Sequence, residues 1–265
     1  MLETEKRNPA TMHIDRAATG EMLQMISRAN HEAADAVDAA LPAIEKAADA
    51  AAASVAAGGR IFYVGAGTSG RLAVVDASEC PPTYGVSHDV VIAIMAGGKN
   101  AMFKAAENVE DQADTGRADL LAYRPEARDT VIGISASGSA RYVASALQAA
   151  REIGCVTVSV SSNRDTEISK AADIEIYTPT GAEVVTGSTR MKAGTAQKMV
   201  LNMISTCAMV KTGKVYENLM INLRPTNIKL RARMIRIVCD ILGTDGKDAE
   251  ARLEAAGWNI REAVK

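Results

Sequence analysis

Two short glycine- and hydroxyl-rich segments are the first places in this chain where residue types could do chemistry together. Gly65-Ala66-Gly67-Thr68-Ser69-Gly70-Arg71 follows the apolar run Ile61-Phe62-Tyr63-Val64 and opens a helical pattern. Ser135-Ala136-Ser137-Gly138-Ser139 follows Val131-Ile132-Gly133-Ile134 and also opens a helical pattern. In both, glycine lets the backbone approach an anion, and the helix start offers free N–H groups and the positive end of the helix dipole. The hydroxyls of Thr68, Ser69, Ser135, Ser137 and Ser139, with the backbone at Gly67 and Gly138, suit the oxygens of a monophosphate. Gly65, Gly67 and Gly70 also fit a dinucleotide fingerprint, but no well-placed ribose-binding acid follows the next strand, so that reading is weak. A single Ser-rich loop is most often an N-cap cluster. Two such loops at the ends of parallel strands point to a ligand.

Three further segments carry charge. Asp76-Ala77-Ser78-Glu79-Cys80-Pro81-Pro82 holds an acid beside paired prolines, which are expected to stop the helix. Glu107 and Glu110 are three apart and are expected to share a helix face. Acids in such settings are by default solvated, and spacing alone assigns neither a role. Thr186 to Lys198 gathers hydroxyls, two amines and a guanidinium around a helix start, against the bland reading of a well-capped helix with solvated lysines.

The elements that must position these groups follow from the apolar pattern. Short β-rich runs at 61–64, 90–95, 131–134, 156–160 and 174–176 alternate with helical stretches at 100–117, 139–153 and 163–172. That alternation predicts an α/β fold, a parallel sheet covered by helices on both faces. Residues 1–18 read as an extended arm. Thr19 is the expected N-cap of a first helix, and Pro42 sits in the first turn of a second, Ala-rich one that ends at Gly58-Gly59. A long helix is expected over 187–211, and two or three helices beyond Pro225. The expected organisation is an arm with N-terminal helices (1–54), a ligand-binding α/β domain (55–222) and a small helical module (223–265) that stops short.

Composition bounds the function. The chain has 265 residues, 48% of them hydrophobic but only 3% aromatic, so its core must be aliphatic. Net charge is −2 with both signs interspersed, which argues against a nucleic-acid partner. No apolar run approaches the roughly 20 residues that span a bilayer, and the charged start is no secretory signal. Cys80, Cys155, Cys207 and Cys239 are dispersed, as are His13, His31 and His88. Neither set has metal-ligand or disulfide-framework spacing, so a metal-free cytoplasmic protein is expected.

At GAGTSGRLAVVDASECPPTYGV, AAENVED and TGSTRMKAGTAQKMVLNMIST the chain resembles the N-acetylmuramic acid 6-phosphate etherases, of the glucokinase-regulator group of SIS-domain proteins. The likeness runs from RNPATMHID through TNIKL. It implies a SIS-type three-layer fold, a homodimer, phosphate held by the Ser/Thr loops, and two essential glutamates. These match Glu79, as proton donor, and Glu110 rather than Glu107. Two departures stand out. SASGSARYV replaces a pattern like S-G-R-T-P-Y-V, with Ala140 where a hydroxyl is common, and Ala182 stands where proline is usual before Glu183.

The implied chemistry explains the pair of carboxylates. In the open-chain sugar the C2 hydrogen is α to the aldehyde and the lactyl ether oxygen at C3 is β to it. One carboxylate must be ionised to take the C2 proton, and the other protonated to release the ether oxygen. Water then adds at C3. No metal or redox cofactor is needed. The enolate oxygen needs donors, for which Ser188, Arg190 and Lys192 are the candidates. An isomerase or epimerase on the same fold would share the phosphate loops and a base but would not need Glu79. A transcriptional sugar-phosphate sensor would carry an N-terminal helix-turn-helix, and a glucokinase-regulator-like protein would be much longer. An inactive binding module is the remaining alternative.

Overall fold

The computed structural model describes residues 1–223, 225 and 227–265. Strands β1 (Ile61–Gly65), β2 (Val91–Met95), β3 (Thr130–Ile134), β4 (Val156–Ser161) and β5 (Ile174–Tyr177) form one parallel sheet in the order β2-β1-β3-β4-β5. Every residue of β1 and β3 is buried, as their unbroken apolar runs require of central strands covered on both faces. From β1 the chain steps to β2 on one side, then returns to β3 on the other. The carboxyl ends of β1 and β3 therefore flank a topological switch point, where open α/β sheets bind ligands.

The helices are α1 (Thr19–Asp38), α2 (Leu41–Ala56), α3 (Gly67–Tyr84), α4 (Gly98–Ala101), α5 (Ala113–Ala122), α6 (Arg141–Ile153), α7 (Glu167–Lys170), α8 (Lys192–Lys211), α9 (Ile228–Leu242), α10 (Gly246–Ala255) and α11 (Ile260–Ala263). Alternation along the strands divides them between the two faces. Phe62, Val64 and Val131 point into one apolar cluster with Leu120 of α5 and Tyr142, Val143 and Leu147 of α6. Neighbouring residues point the other way. Thr130 Oγ1 meets Ser54 Oγ of α2 at 2.7 Å, and the Tyr63 hydroxyl donates to Asp76 Oδ2 of α3 at 2.9 Å. Asn202 and Ser205 of α8 donate to the other oxygen of Asp76, so this buried carboxylate ties β1, α3 and α8 together. Among the described residues no helix is long and apolar enough to cross a membrane.

The chain divides into two compact units, Met1–Ala77 with Asp89–Ala208, and Ser78–His88 with Met209–Lys265. The first holds the sheet and also the arm, α1 and α2. The boundary thus differs from a separate 1–54 segment and from a C-terminal module starting at 223. The second has its own apolar cluster, including Met234, Val238, Leu253 and Ile260. Its helices α9, α10 and α11 are capped by the side chains of Asn227, Asp245 and Asn259.

Local expectations differ in five places. The arm contains three short 3-10 turns and is anchored: Thr4 is fully buried, and Thr11 Oγ1 donates to the Val184 carbonyl at 2.8 Å. The N-cap of α1 is Ala18, with Thr19 already helical. Pro81 and Pro82 lie inside the last turn of α3, which continues to Tyr84, since a proline φ is compatible with a helix although its N–H bond is lost and its ring crowds the preceding turn. Residues 103–112 are not helical: Asn108 has φ +60°, and α5 starts only at Ala113, so Glu107 and Glu110 share no helix face. The stretches expected over 163–172 and 187–211 are helical only from Glu167 to Lys170 and from Lys192 onward.

Candidate functional site

The loop after β1 turns sharply because two glycines allow it. A Cβ on Gly70 would stand 2.8 Å from the Gly65 carbonyl oxygen, and one on Gly65 would stand 2.8 Å from the Gly70 nitrogen. Only hydrogen at both positions lets the first turn of α3 sit directly on the strand end, with Thr68 and Ser69 at its mouth. The loop after β3 is held by its own hydroxyls. Ser135 Oγ accepts from the Gly138 N–H at 3.1 Å, Ser137 Oγ accepts from the Ser139 N–H at 3.2 Å, and the hydroxyls of Ser137 and Ser139 lie 2.8 Å apart. Gly138, at φ +77°, passes so close to Thr166 that a Cβ would lie 2.4 Å from that side chain. Buried Asn163 fixes the loop from behind, donating to the carbonyls of Ala136 and Ser137.

These two loops line one cavity of about 350 Å³. Thr68 and Ser69 with Gly67 form one wall, and Ser135, Ser137 and Ser139 the other. Glu110 lines the same cavity, so the structure brings together one of the two expected carboxylates and both phosphate loops. No lysine or arginine is among the described residues of its lining. An anion there meets hydroxyls, backbone amides and the starts of α3 and α6, not a formal positive charge. Ala140 is the N-cap of α6 and supplies no side-chain cap, so the start of that helix relies on its free N–H groups.

Four residues outside the sequence expectation also face this cavity: Glu5, Asp111, Gly187 and Thr189. Thr189 lies within the dense run 186–198, where hydroxyl content was a usable signal. Asp111 directly follows Glu110 in the AENVED motif. Glu5 had no local signal, because the arm reaches the cavity through long-range bonds. The Glu3 N–H donates to Asn163 Oδ1 at 2.6 Å, and Asn163 Nδ2 donates to Thr4 Oγ1 at 3.1 Å.

Other expected residues lie elsewhere. Lys192 is buried, and its ammonium donates to Glu32 at 2.6 Å and to the Ala182 carbonyl at 3.1 Å, so it is already committed within the fold. Its backbone N–H and that of Ala193 donate to the two oxygens of Glu183, at 2.9 and 3.0 Å. Glu183 is fully buried and caps α8. Ser188 and Arg190 lie in the turns before α8, Arg190 exposed, and neither lines the cavity. Glu79 belongs to the second compact unit, exposed on α3 beside buried Cys80. Within α6, burial and the neighbouring Asp119 carboxylate, which accepts the Tyr142 hydroxyl at 2.6 Å, push that phenol well above its ordinary range. Tyr142 stays protonated and ties the first turn of α6 to α5.

Comparison with known proteins adds to this geometry. Residues 43–151 match the glucokinase regulatory protein N-terminal SIS domain, and residues 98–206 match the SIS domain. The chain is 50% identical over 263 residues to an N-acetylmuramic acid 6-phosphate etherase of Serratia proteamaculans (strain 568), covering 99% of this chain and 89% of that protein. It is 49% identical, with the same coverage, to the protein of that name in Salmonella agona (strain SL483). Among solved structures, a phosphoheptose isomerase from Francisella tularensis superposes with a TM-score of 0.53 at 18% identity, over 72% of this chain and 98% of that one. That likeness concerns the fold alone.

Proposed function

The chain belongs to the N-acetylmuramic acid 6-phosphate etherase family, and we propose that it performs the family's reaction with Glu110 as base, Glu79 as proton donor and the two Ser/Thr loops as the phosphate cradle. The enzyme is a carbon–oxygen lyase acting on a sugar phosphate. The observation that carries the site reading is the shared cavity, in which hydroxyls from the β1 and β3 loops stand with the carboxylate of Glu110.

The phosphate is held at the switch point by Thr68, Ser69, Ser135, Ser137 and Ser139 and by the backbone at Gly67, while Gly138, buried and off the cavity lining with its N–H given to Ser135, shapes the loop. It anchors the open-chain sugar so that C2 meets Glu110. Removal of the C2 proton places the electron pair on the C1 oxygen as an enolate. The pair then returns, forming the C2–C3 double bond as the C3–O bond breaks, and Glu79 delivers a proton to the departing lactate oxygen. Water adds to C3 and a proton returns to C2. The sum is D-lactate and N-acetylglucosamine 6-phosphate. Thr189 and the backbone at Gly187 are better placed than Lys192 to donate to charge developing in the cavity. Ser188 and Arg190, candidates from the sequence for the same donor role, do not line the cavity.

The same reading makes the protein a cytoplasmic homodimer. Light scattering at micromolar concentration is expected to give twice the chain mass, and a fully active monomer would refute this part. The decisive assay is incubation of purified protein with N-acetylmuramic acid 6-phosphate and measurement of D-lactate. Absence of release by correctly folded protein sinks the assignment.

A further inference from the structure

Ser69 is not a free phosphate ligand in the structure. Its hydroxyl donates to Oε1 of Gln197 on α8 at 2.9 Å, and both side chains are buried. The other end of the same carboxamide is the anomaly. Gln197 Nε2 is buried without a hydrogen-bond partner among the described residues. A buried N–H donor left unpaired is rare and costs more than an underused carbonyl. The two facts have one remedy. Turning the carboxamide half a turn about its last bond would aim Nε2 at Ser69 Oγ. The serine proton would then be free to point into the cavity that Ser69 lines.

We propose that Gln197 is a positioning residue that donates from Nε2 to Ser69 Oγ and so leaves the Ser69 proton aimed into the cavity. With a sugar phosphate bound, Gln197 donates to Ser69 Oγ and Ser69 donates to a phosphate oxygen. The phosphate gains a charge-assisted bond from a hydroxyl whose direction Gln197 fixes. Hydroxyls of the β3 loop bond to one another and have no such buried partner, so the coupling is specific to Ser69. This inference rests on the reading of Ser69 as a phosphate ligand, and its test separates the two.

Titration calorimetry with N-acetylglucosamine 6-phosphate on the full chain supplies the readout, for S69A, Q197M, Q197E and the two double variants. Methionine matches the volume of glutamine and removes the unpaired donor. The Tm of Q197M is therefore expected near the wild-type value, while its Kd rises about tenfold or more, the usual weight of a hydrogen bond to a charged group. Q197E at alkaline pH keeps an acceptor for Ser69 but has no proton to give, and it too is expected to bind weakly. In the S69A background Q197M should cost nothing further. Any residual loss from Q197E in that background measures charge repulsion and is subtracted. A merely structural glutamine predicts a lower Tm with unchanged Kd. Wild-type affinity in Q197M, or effects of Q197M and S69A that multiply, overturns the positioning role. Wild-type affinity in S69A overturns the assignment of Ser69 itself, and the role of Gln197 falls with it.

Discussion

Tyr142 donates its backbone N–H to the carbonyl of Glu110 at 2.9 Å, which ties the irregular segment before α5 to the first turn of α6. Glu110 has no helix of its own to fix it. Its place comes from that bond and from Val109, which packs against the apolar cluster under α6. The same helix begins directly after Ser139 and Ala140. Glu110 and the hydroxyl-rich loop after β3 are therefore mounted on a single element, and under the proposed mechanism α6 sets the distance between phosphate and C2.

Removing the cap on α8 should destabilise the fold measurably. Glu183→Ala leaves two buried N–H groups without acceptors and takes a negative charge from a helix start. The expected loss is roughly 3 kcal/mol, or a fall in Tm of about 6–12 °C for a chain of this size. Glu183→Gln keeps one acceptor and should lose about half as much. Thermal unfolding followed by circular dichroism checks this, and a change of less than a degree for Glu183→Ala would show the cap to be unimportant.

Gly138→Ala should damage the phosphate loop more than the fold. The residue would be forced into a left-handed conformation and its Cβ would collide with Thr166. Stability is expected to fall by about 1–3 kcal/mol. KM for the sugar phosphate should rise at least tenfold, because Ser137 and Ser139 move with the loop. An unchanged KM would mean that this loop does not hold the phosphate.

The sheet was legible in the sequence because buried parallel strands are continuous apolar runs, and each of the five runs is a strand. The two loops were legible because their glycines and hydroxyls are contiguous. What was missed depended on contacts far apart in sequence. Lys192 looked like a ligand from its neighbours, yet its partner is Glu32, 160 residues away. Glu5 reaches the cavity because Asn163 holds the arm. The helix expected around Glu107 failed for a local reason, a positive φ at Asn108 that propensity does not forbid for asparagine. The paired prolines misled in the opposite sense, since a proline φ is itself helical and the cost of two prolines falls on the last turn of α3 alone.

Phosphate should be indispensable. Five hydroxyls of the β1 and β3 loops and two helix starts meet at one cavity with no cation on its described lining. If three charge-assisted hydrogen bonds position the substrate, their loss costs about three orders of magnitude in kcat/KM. Unphosphorylated N-acetylmuramic acid is expected to react that much more slowly in a coupled D-lactate assay. Comparable kcat/KM for the two sugars would remove the role assigned to both loops.

The sharpest prediction separates the two carboxylates by what each does to hydrogen at C2. With Glu110 as base, Glu110→Gln abolishes lactate release and also abolishes exchange of the C2 hydrogen with solvent deuterium. With Glu79 as acid, Glu79→Gln blocks lactate release while exchange persists, because the enolate forms without departure of the leaving group. Loss of a positioned acid or base costs about 100- to 10,000-fold, so each variant should retain only trace turnover. Mass spectrometry of recovered substrate in deuterium oxide reads the exchange. Exchange in Glu110→Gln but not in Glu79→Gln would reverse the roles, and near-normal lactate release by both would dismiss the two-carboxylate mechanism. Glu107 is the internal control. It lies in the same irregular segment, exposed, and outside the lining of the cavity, so Glu107→Gln should change turnover by less than about tenfold.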